Sequence, residues 1–151
     1  MDILVFSDSH NMLSEMEKAT GKYNIDRIIF LGDCVEDAEY LKKIFPQKTI
    51  MIIKGNNDLW SEYPEKIITE IEGHKIYCSH GHKERVKIDI SLLKQSAKHE
   101  NCDVALFGHT HFQKAEKEDG LLFLNPGSIG FSGNYAILSL EKNKPPNFSL
   151  F

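Results

Sequence analysis

The sequence has little of what a membrane-spanning or secreted protein needs. Its longest apolar runs, such as the one at 50–53, are only a few residues, so no segment can span a bilayer. The N-terminus has neither a basic start nor a long apolar stretch, and we expect no signal peptide. The three cysteines form no CxxC pair, which favours thiols in a reducing compartment. We expect a cytoplasmic protein without a membrane partner.

Basic charge is also scarce. Lys and Arg total 18 against 22 Asp and Glu, which gives a formal net charge of −4. The surface as a whole therefore lacks the basic footprint of a nucleic-acid-binding protein, and we expect no extended nucleic acid as a partner. The length of 151 residues is typical of one domain, and no linker, repeat or low-complexity segment divides it. We predict a single domain over residues 1–151.

Short β-branched runs alternate with helix-like stretches in the first third of the chain. Strands are predicted at 3–6, 27–31 and 49–53, with helices at 14–22 and 36–45 between them. This order is typical of right-handed βαβ crossovers and a parallel sheet.

The rest of the chain is predicted to be mostly strand. The predicted elements are a hairpin of strands 66–71 and 75–79, a helix at 88–99, a strand at 104–107, and a β-meander of strands 112–116, 121–124, 135–140 and 148–151. Together with the first third, these elements indicate an α/β domain of two packed sheets with helices outside.

The histidines are the most informative residues. Five of the seven lie in three short motifs, which are Asp8-Ser9-His10, His80-Gly81-His82 and His109-Thr110-His111. Each motif follows a predicted strand, and so do Asp33 and Asn56. Because the carboxyl ends of parallel strands meet at one edge of a sheet, we expect these side chains to converge in one crevice.

The expected crevice combines carboxylate, imidazole and amide groups. This set is too large for one ion with an open position and suits two divalent cations. Mixed oxygen and nitrogen ligation without thiolate favours Mn first, with Ni, Fe, Co, Zn or Mg as alternatives. Two such ions, about 3.5–4 Å apart, can polarise a phosphoryl oxygen and lower the pKa of a bridging water. A phosphate ester is the substrate class that such a site predicts.

Five ordered motifs carry a family resemblance. They are Asp8-x-His10, Gly32-Asp33, Gly55-Asn56-x-Asp58, His80-Gly81-His82 and Gly108-His109-Thr110-His111. Together they resemble the calcineurin-like metallophosphoesterases, and in detail the small, cap-free branch of bacterial and archaeal phosphodiesterases that also includes the retromer subunit. The resemblance implies a four-layer α/β/β/α sandwich of two mixed sheets flanked by helices.

The resemblance also implies roles for the site residues. One metal ion would take Asp8, His10 and His111, and Asp33 would bridge to a second ion on Asn56, His80 and His109. A metal-bridging hydroxide would attack phosphorus in line with the leaving oxygen, while the ions and Asn56 hold the phosphoryl oxygens. Asp58 would orient a neighbouring ligand.

The chain departs from the family pattern close to the substrate. Many relatives have a histidine after the motif asparagine that helps protonate the leaving group, whereas this chain has Asn57. This difference predicts substrates with good leaving groups, or an acid supplied by His82. Close relatives often carry a Pro-Arg pair after the loop at 125–128, which is absent here, so Lys83 or Arg85 is a candidate for the substitute charge.

Two functions from different classes are open to this sequence. The first is a binuclear metal-dependent phosphodiesterase acting on small phosphate diesters. The second is a non-catalytic metal-binding scaffold of the same fold that acts in protein–protein interaction. A degenerate scaffold tends to lose ligands and this chain keeps all seven, which favours the enzyme. By resemblance to the small bacterial members, we expect a homodimer or homotetramer.

Several other residues have simpler expected roles. His82 is expected either to support a ligand or to contact the substrate. His74 and His99 are expected at the surface, and Cys34 and Cys78 are expected to be small buried side chains. Trp60 and Tyr63 are expected to pack locally, with the lining of the pocket mouth as the alternative.

Overall fold

Strands and helices alternate along the first third of the chain, as the apolar runs predict. The computed structural model describes residues 1–151. Its strands are β1 (Asp2–Phe6), β2 (Arg27–Phe30), β3 (Thr49–Ile52), β4 (Lys66–Ile71), β5 (His74–Ser79), β6 (Val104–Leu106), β7 (Gln113–Glu118), β8 (Leu121–Pro126), β9 (Ala136–Ser139) and β10 (Asn147–Leu150). Its helices are α1 (Leu13–Lys22), α2 (Val35–Ile44), α3 (Ser91–His99) and α4 (Ile129–Ser132).

The strands form two five-stranded mixed sheets. The first has the order β10-β9-β1-β2-β3, in which β1, β2 and β3 are parallel and β9 runs antiparallel to β1. The second has the order β4-β5-β6-β8-β7, in which β5, β6 and β8 are parallel and each edge strand is antiparallel to its neighbour. No helix combines the length and the apolar character needed to cross a bilayer.

Alternation along the central strands divides the apolar side chains between three cores. In β1, Ile3 and Val5 face the second sheet, whereas Leu4 and Phe6 pack with the side chains of α1 and α2. A third core lies between the second sheet and α3, where Phe123 packs with Leu93 and its neighbours. The layers are therefore helix, sheet, sheet and helix, and the predicted four-layer sandwich is confirmed.

The predicted β-meander of the last third is wrong. Strands β7 and β8 do form a hairpin, but β8 pairs in parallel with β6. Strand β9 belongs to the first sheet, where it pairs with β1. The short helix α4, which the sequence did not reveal, lies between β8 and β9. Turn residues mark where a strand ends, but they do not determine which sheet takes the next one. The helix predicted at 88–99 begins only at Ser91.

Two exposure predictions are also wrong. His74 is only 8% exposed, because it begins β5 and its Nε2 lies 3.1 Å from the carbonyl oxygen of Glu141. Trp60 does not pack locally and is 97% exposed. By contrast Cys78 is buried and Tyr63 is partly buried against the core under α2, as expected, and Cys34 is half-buried.

The sheet-to-sheet core yields the first prediction. Leu106 is fully buried between the sheets, so Leu106→Ala should leave a cavity and lower the free energy of unfolding by about 2–5 kcal/mol. Leu92→Ala makes the same chemical change on an exposed part of α3, and its expected cost is below about 1 kcal/mol. Urea unfolding measures both, and equal losses would contradict this assignment of the core.

Candidate metal centre

The first group of candidate ligands gathers around the Asp8 carboxylate. Asp8 and His10 follow β1, and His111 follows β6 across the sandwich. Asp8 Oδ1 lies 3.2 Å from Nε2 of His111 and 3.9 Å from Nε2 of His10, and the two imidazole nitrogens are 3.3 Å apart. These three ligand atoms lie close enough together to hold one metal ion.

The second group gathers around the buried His80 ring. His80 Nε2 lies 3.6 Å from Asp33 Oδ1, 3.9 Å from Asp8 Oδ1 and 3.2 Å from His109 Nδ1. The other ring nitrogen of His80 lies 2.8 Å from the carbonyl oxygen of Leu31, which fixes the orientation of the ring. Asp8, Asp33 and His80 therefore make up a second set able to hold an ion, and Asp8 belongs to both sets.

Unsatisfied oxygens indicate that this crevice is built for cations. Asp8 Oδ1 and Asn56 Oδ1 are buried and accept no hydrogen bond. A buried carboxylate oxygen without a partner is costly unless a positive charge compensates it. The surrounding donors are carboxylate, amide and imidazole, which suit a divalent transition metal better than a soft ion. The residues present therefore fit divalent metal ions.

Hydrogen bonds from the protein hold one oxygen of Asp8 and both oxygens of Asp33. Asp8 Oδ2 accepts hydrogen bonds from the Ser7 hydroxyl at 2.5 Å and from the backbone N–H of His109 at 3.0 Å. Asp33 accepts two hydrogen bonds from Asn57, one from the backbone at 3.0 Å and one from the side-chain amide at 2.7 Å. Asn57, where many relatives are expected to have histidine, thus clamps a candidate ligand.

Asp58 organises the loops that carry Asp33 and Asn56. Its buried carboxylate accepts backbone hydrogen bonds of 2.7–3.0 Å from Asp33, Cys34, Val35 and Gly55. Two of these donors, Cys34 and Val35, lie at the start of α2, where unpaired N–H groups and the helix dipole favour a negative charge. Asp58 is therefore positioned to fix the backbone around Asp33 rather than to contact an ion itself.

Five candidate ligands have left-handed backbone conformations. The φ angles of Asp8, His10, Asp33, His109 and His111 lie between 45° and 66°. Such conformations cost of order 1 kcal/mol or more each for residues other than glycine, and they persist only where surrounding contacts enforce them. Strain concentrated at these positions indicates a functional site.

Two glycines let the loops approach the carboxylates. A Cβ at Gly55 would lie 2.1 Å from Asp33 Oδ1, and a Cβ at Gly108 would lie 1.9 Å from the Ser7 hydroxyl. Any side chain at either position would displace a group that holds a candidate ligand.

His82 and the nearby cations border the second group. The His82 ring centroid lies 5.6 Å from that of His80 and 6.2 Å from that of His109, outside both ligand sets. Burial, and then the charge of His80, lower the pKa of His82 and lower that of His109 to about 4. Neutral imidazole is the form that binds metal.

Of the two residues expected to supply the substitute cation, Lys83 has an acidic partner, and Arg85 stays a candidate. Lys83 lies 3.6 Å from Glu65 in an exposed pair. The positive charge of Lys87 is a further cause that lowers the pKa of His109, after burial and the charge of His80.

Residues after β8 also support the centre, and the motifs did not single them out for this. The Ser128 hydroxyl donates to the carbonyl oxygen of Asp8 at 2.7 Å. Asn125 donates to the carbonyl oxygen of Gly108 at 2.9 Å. These contacts join the loop after β8 to the loops after β1 and β6.

Comparison with known proteins identifies the family. Residues 1–143 match the family model of the calcineurin-like phosphoesterase superfamily domain. The chain therefore belongs to the calcineurin-like phosphoesterase superfamily, as the five ordered motifs predict.

Two relatives share most of their length with this chain. The probable metallophosphoesterase YsnB of Bacillus subtilis is 29% identical over 150 residues, which are 95% of this chain and 86% of the relative. The phosphodiesterase MJ0936 of Methanocaldococcus jannaschii is 32% identical over 146 residues, covering 84% of this chain and 83% of the relative. Both relatives carry names of phosphoesterases, which agrees with the family to which the chain belongs.

Solved structures share the fold. A predicted phosphoesterase from Streptococcus pneumoniae TIGR4 is 28% identical, with a TM-score of 0.76 over 99% of this chain and 96% of that one. Vacuolar protein sorting 29 from Cryptosporidium parvum is 20% identical, with a TM-score of 0.77 over the same shares. The second likeness shows the fold alone.

The close approach at Gly55 yields a prediction with a matched control. Gly55→Ala should push Asp33 from its place and weaken Mn²⁺ binding by about 10–100-fold, as changes behind metal ligands do. Gly21→Ala adds the same methyl group in α1, where nothing lies within 4 Å, and should stabilise the protein by about 0.5–1 kcal/mol. Titration calorimetry with Mn²⁺ and urea unfolding test both; unchanged Mn²⁺ affinity in the Gly55 variant would refute the expectation.

The four hydrogen bonds to Asp58 yield a second prediction. Asp58→Asn keeps the size but replaces one acceptor oxygen by a donor facing N–H groups, so the free energy of unfolding should fall by about 3 kcal/mol. Asp26→Asn, at an exposed side chain, should change it by less than about 0.5 kcal/mol. Thermal and urea unfolding compare the two, and similar losses would argue against a structural role for Asp58.

Proposed function

We propose that the protein is a phosphodiesterase that hydrolyses small phosphate diesters with two divalent metal ions, Mn²⁺ being the first choice. The observation that carries the proposal is the convergence of Asp8, Asp33 and four imidazoles in two adjacent groups, with two buried oxygens that accept no hydrogen bond. Such a paired site suits in-line displacement at phosphorus.

Each proposed ligand belongs to one of two ion sites. The first ion would be held by Asp8, His10 and His111, and the second by Asn56, His80 and His109, with Asp33 between them. Asp8 also lies within reach of the second group, and it is therefore a second candidate for a shared ligand.

The ions, when bound, lower the pKa of water and neutralise charge that develops on phosphoryl oxygens. The protein groups around them position the substrate. In this proposal the Asn56 amide holds a phosphoryl oxygen, and the positive charge of Lys87, which acts on His109, attracts the anionic ester.

The residues near the leaving group favour diesters whose leaving group needs little protonation. Asn57 has no proton to give, and its amide is already bound to Asp33. His82 is the remaining candidate for an acid, but its lowered pKa makes it neutral near pH 7. Leaving groups that depart readily as anions therefore suit this site best.

A protein-binding scaffold of the same fold is the second candidate function. The observation that favours it is the exposure of Leu59 and Trp60 directly after Asp58, since exposed apolar side chains mark interaction surfaces. The convergence of two carboxylates and four imidazoles favours the enzyme, because a scaffold has no need of so many metal-binding side chains.

The decisive experiment compares bis(p-nitrophenyl) phosphate with p-nitrophenyl phosphate after chelation and after adding Mn²⁺, Ni²⁺, Zn²⁺ or Mg²⁺. We expect chelation to abolish turnover, Mn²⁺ to restore it, and the diester to be preferred. Asp33→Ala and His109→Ala should each lower kcat/KM for the diester by about a hundredfold or more while the protein stays folded.

His99→Ala is the matched control, since His99 is exposed and remote from both ligand groups. Its activity should equal that of the parent chain. Full metal-dependent turnover in the Asp33 or His109 variant would show that the centre is assigned wrongly. Tight Mn²⁺ binding without turnover with any metal would support the scaffold.

A further inference from the structure

Exposed apolar side chains concentrate at the loops of the candidate centre. Five large apolar residues are 69–97% exposed, whereas no other exceeds 48%. The five are Leu59, Trp60, Ile88, Phe112 and Phe131. Four of them follow one of the five motifs in sequence, and Phe131 lies in α4, where Gly130 donates a hydrogen bond to the carbonyl oxygen of Asp8. An exposed apolar rim of this kind marks a surface that binds something apolar.

Phe131 is the member of this rim in direct contact with candidate ligands. Its ring centroid lies 4.8 Å from that of His10 and 5.1 Å from that of His111. Since the side chain is 69% exposed, much of the ring remains free beside the first ligand group.

The backbone around Phe131 is fixed to the centre. The Phe131 N–H donates to the Ser128 hydroxyl at 3.0 Å, and that hydroxyl donates to the carbonyl oxygen of Asp8. Gly130 donates to the same carbonyl oxygen, and a Cβ at Gly130 would lie 2.1 Å from the carbonyl oxygen of Ser9. The ring is therefore held by the same segment that supplies Asp8 and His10.

The two sides of the centre differ in charge. Residues 129–134 carry no charged side chain. A groove of about 450 Å³ beside Thr110 and Phe112 has mainly apolar walls, and its two charged residues, Asp89 and Lys114, are of opposite sign. The groove beside Trp60 and Tyr63 is lined instead by three carboxylates, those of Glu36, Glu39 and Glu62. An uncharged apolar group therefore fits the His10 and His111 side.

We propose that the protein selects phosphodiesters that carry an aromatic substituent, and that Phe131 is the specificity-determining residue. The inference rests on the proposed function. His82 lies beside His80 and His109, and the proposal places the leaving oxygen on that side and the substituent that stays on phosphorus beside Phe131. An aromatic substituent there packs against the free part of the Phe131 ring, and offset or tilted ring pairs are favourable.

The test uses two diesters with the same leaving group. Bis(p-nitrophenyl) phosphate and methyl p-nitrophenyl phosphate both release p-nitrophenolate, but the retained substituent is aryl in the first and methyl in the second. In the Mn²⁺-loaded protein, Phe131→Ala should lower kcat/KM about tenfold for the bis-aryl ester, mainly through KM, and less than about twofold for the methyl ester.

Binding of non-hydrolysed analogues gives an independent measurement. Phe131→Ala should raise the inhibition constant of phenylphosphonate about tenfold and leave that of methylphosphonate within about twofold. Phe131→Tyr keeps the ring and should retain the parent selectivity. Trp60→Ala, which removes an exposed aromatic side chain from the acidic side, should leave the ratio of the two esters unchanged.

Titration calorimetry with Mn²⁺ distinguishes a role of Phe131 in substrate selection from a role in supporting the candidate metal ligands. Unchanged Mn²⁺ affinity with a loss confined to aryl compounds supports the proposal. Equal losses for both esters, with or without weaker Mn²⁺ binding, would overturn it and leave Phe131 as a packing partner of His10 and His111. If the parent protein hydrolyses neither ester with any cation, the proposed function fails and this inference fails with it.

Discussion

The candidate centre depends above all on one buried carboxylate that lies outside both candidate ligand sets. Asp58 accepts four backbone hydrogen bonds from the loop after β2 and the loop after β3. Each donor loses its contact with water on folding, so each needs an acceptor, and an ionised acceptor makes the stronger bond. The negative charge also lies at the start of α2, where the helix dipole favours it. One side chain thereby fixes two loops and the first turn of a helix.

This arrangement explains how strained residues remain in place. Asp33 and Cys34 both have left-handed backbones, and both donate their N–H groups to Asp58. The same logic holds at the other carboxylate, where Ser7 and His109 bind one oxygen of Asp8 while Ser128 binds its carbonyl group. Contacts outside the ligand set thus balance the conformational cost of turning the ligands inward. The free oxygen of Asp8 is left facing three imidazole nitrogens.

Structural features that depend on local sequence could be predicted, whereas those that depend on pairing between distant segments could not. The β-branched runs predicted β1, β2 and β3, and the motif positions at their ends predicted that Asp8, Asp33 and Asn56 would lie along one edge. The departure of β9 for the first sheet was missed, because antiparallel pairing with β1 depends on residues more than a hundred positions away. The support of Asp8 by Ser128 was missed for the same reason, since their sequence separation is 120.

The sequence also could not predict which apolar residues stay outside the cores. Hydrophobic periodicity assumes that large apolar side chains are buried, and on that basis Trp60 was expected to pack locally. The backbone of the loops that hold the ligands turns carboxylates and imidazoles inward. Because of this geometry, the apolar residues next in sequence are directed towards solvent. Phe112 directly follows His111, and Leu59 directly follows Asp58. A polar centre with an apolar rim is therefore a geometric consequence of the loops. This rim places an apolar surface next to the candidate metal centre.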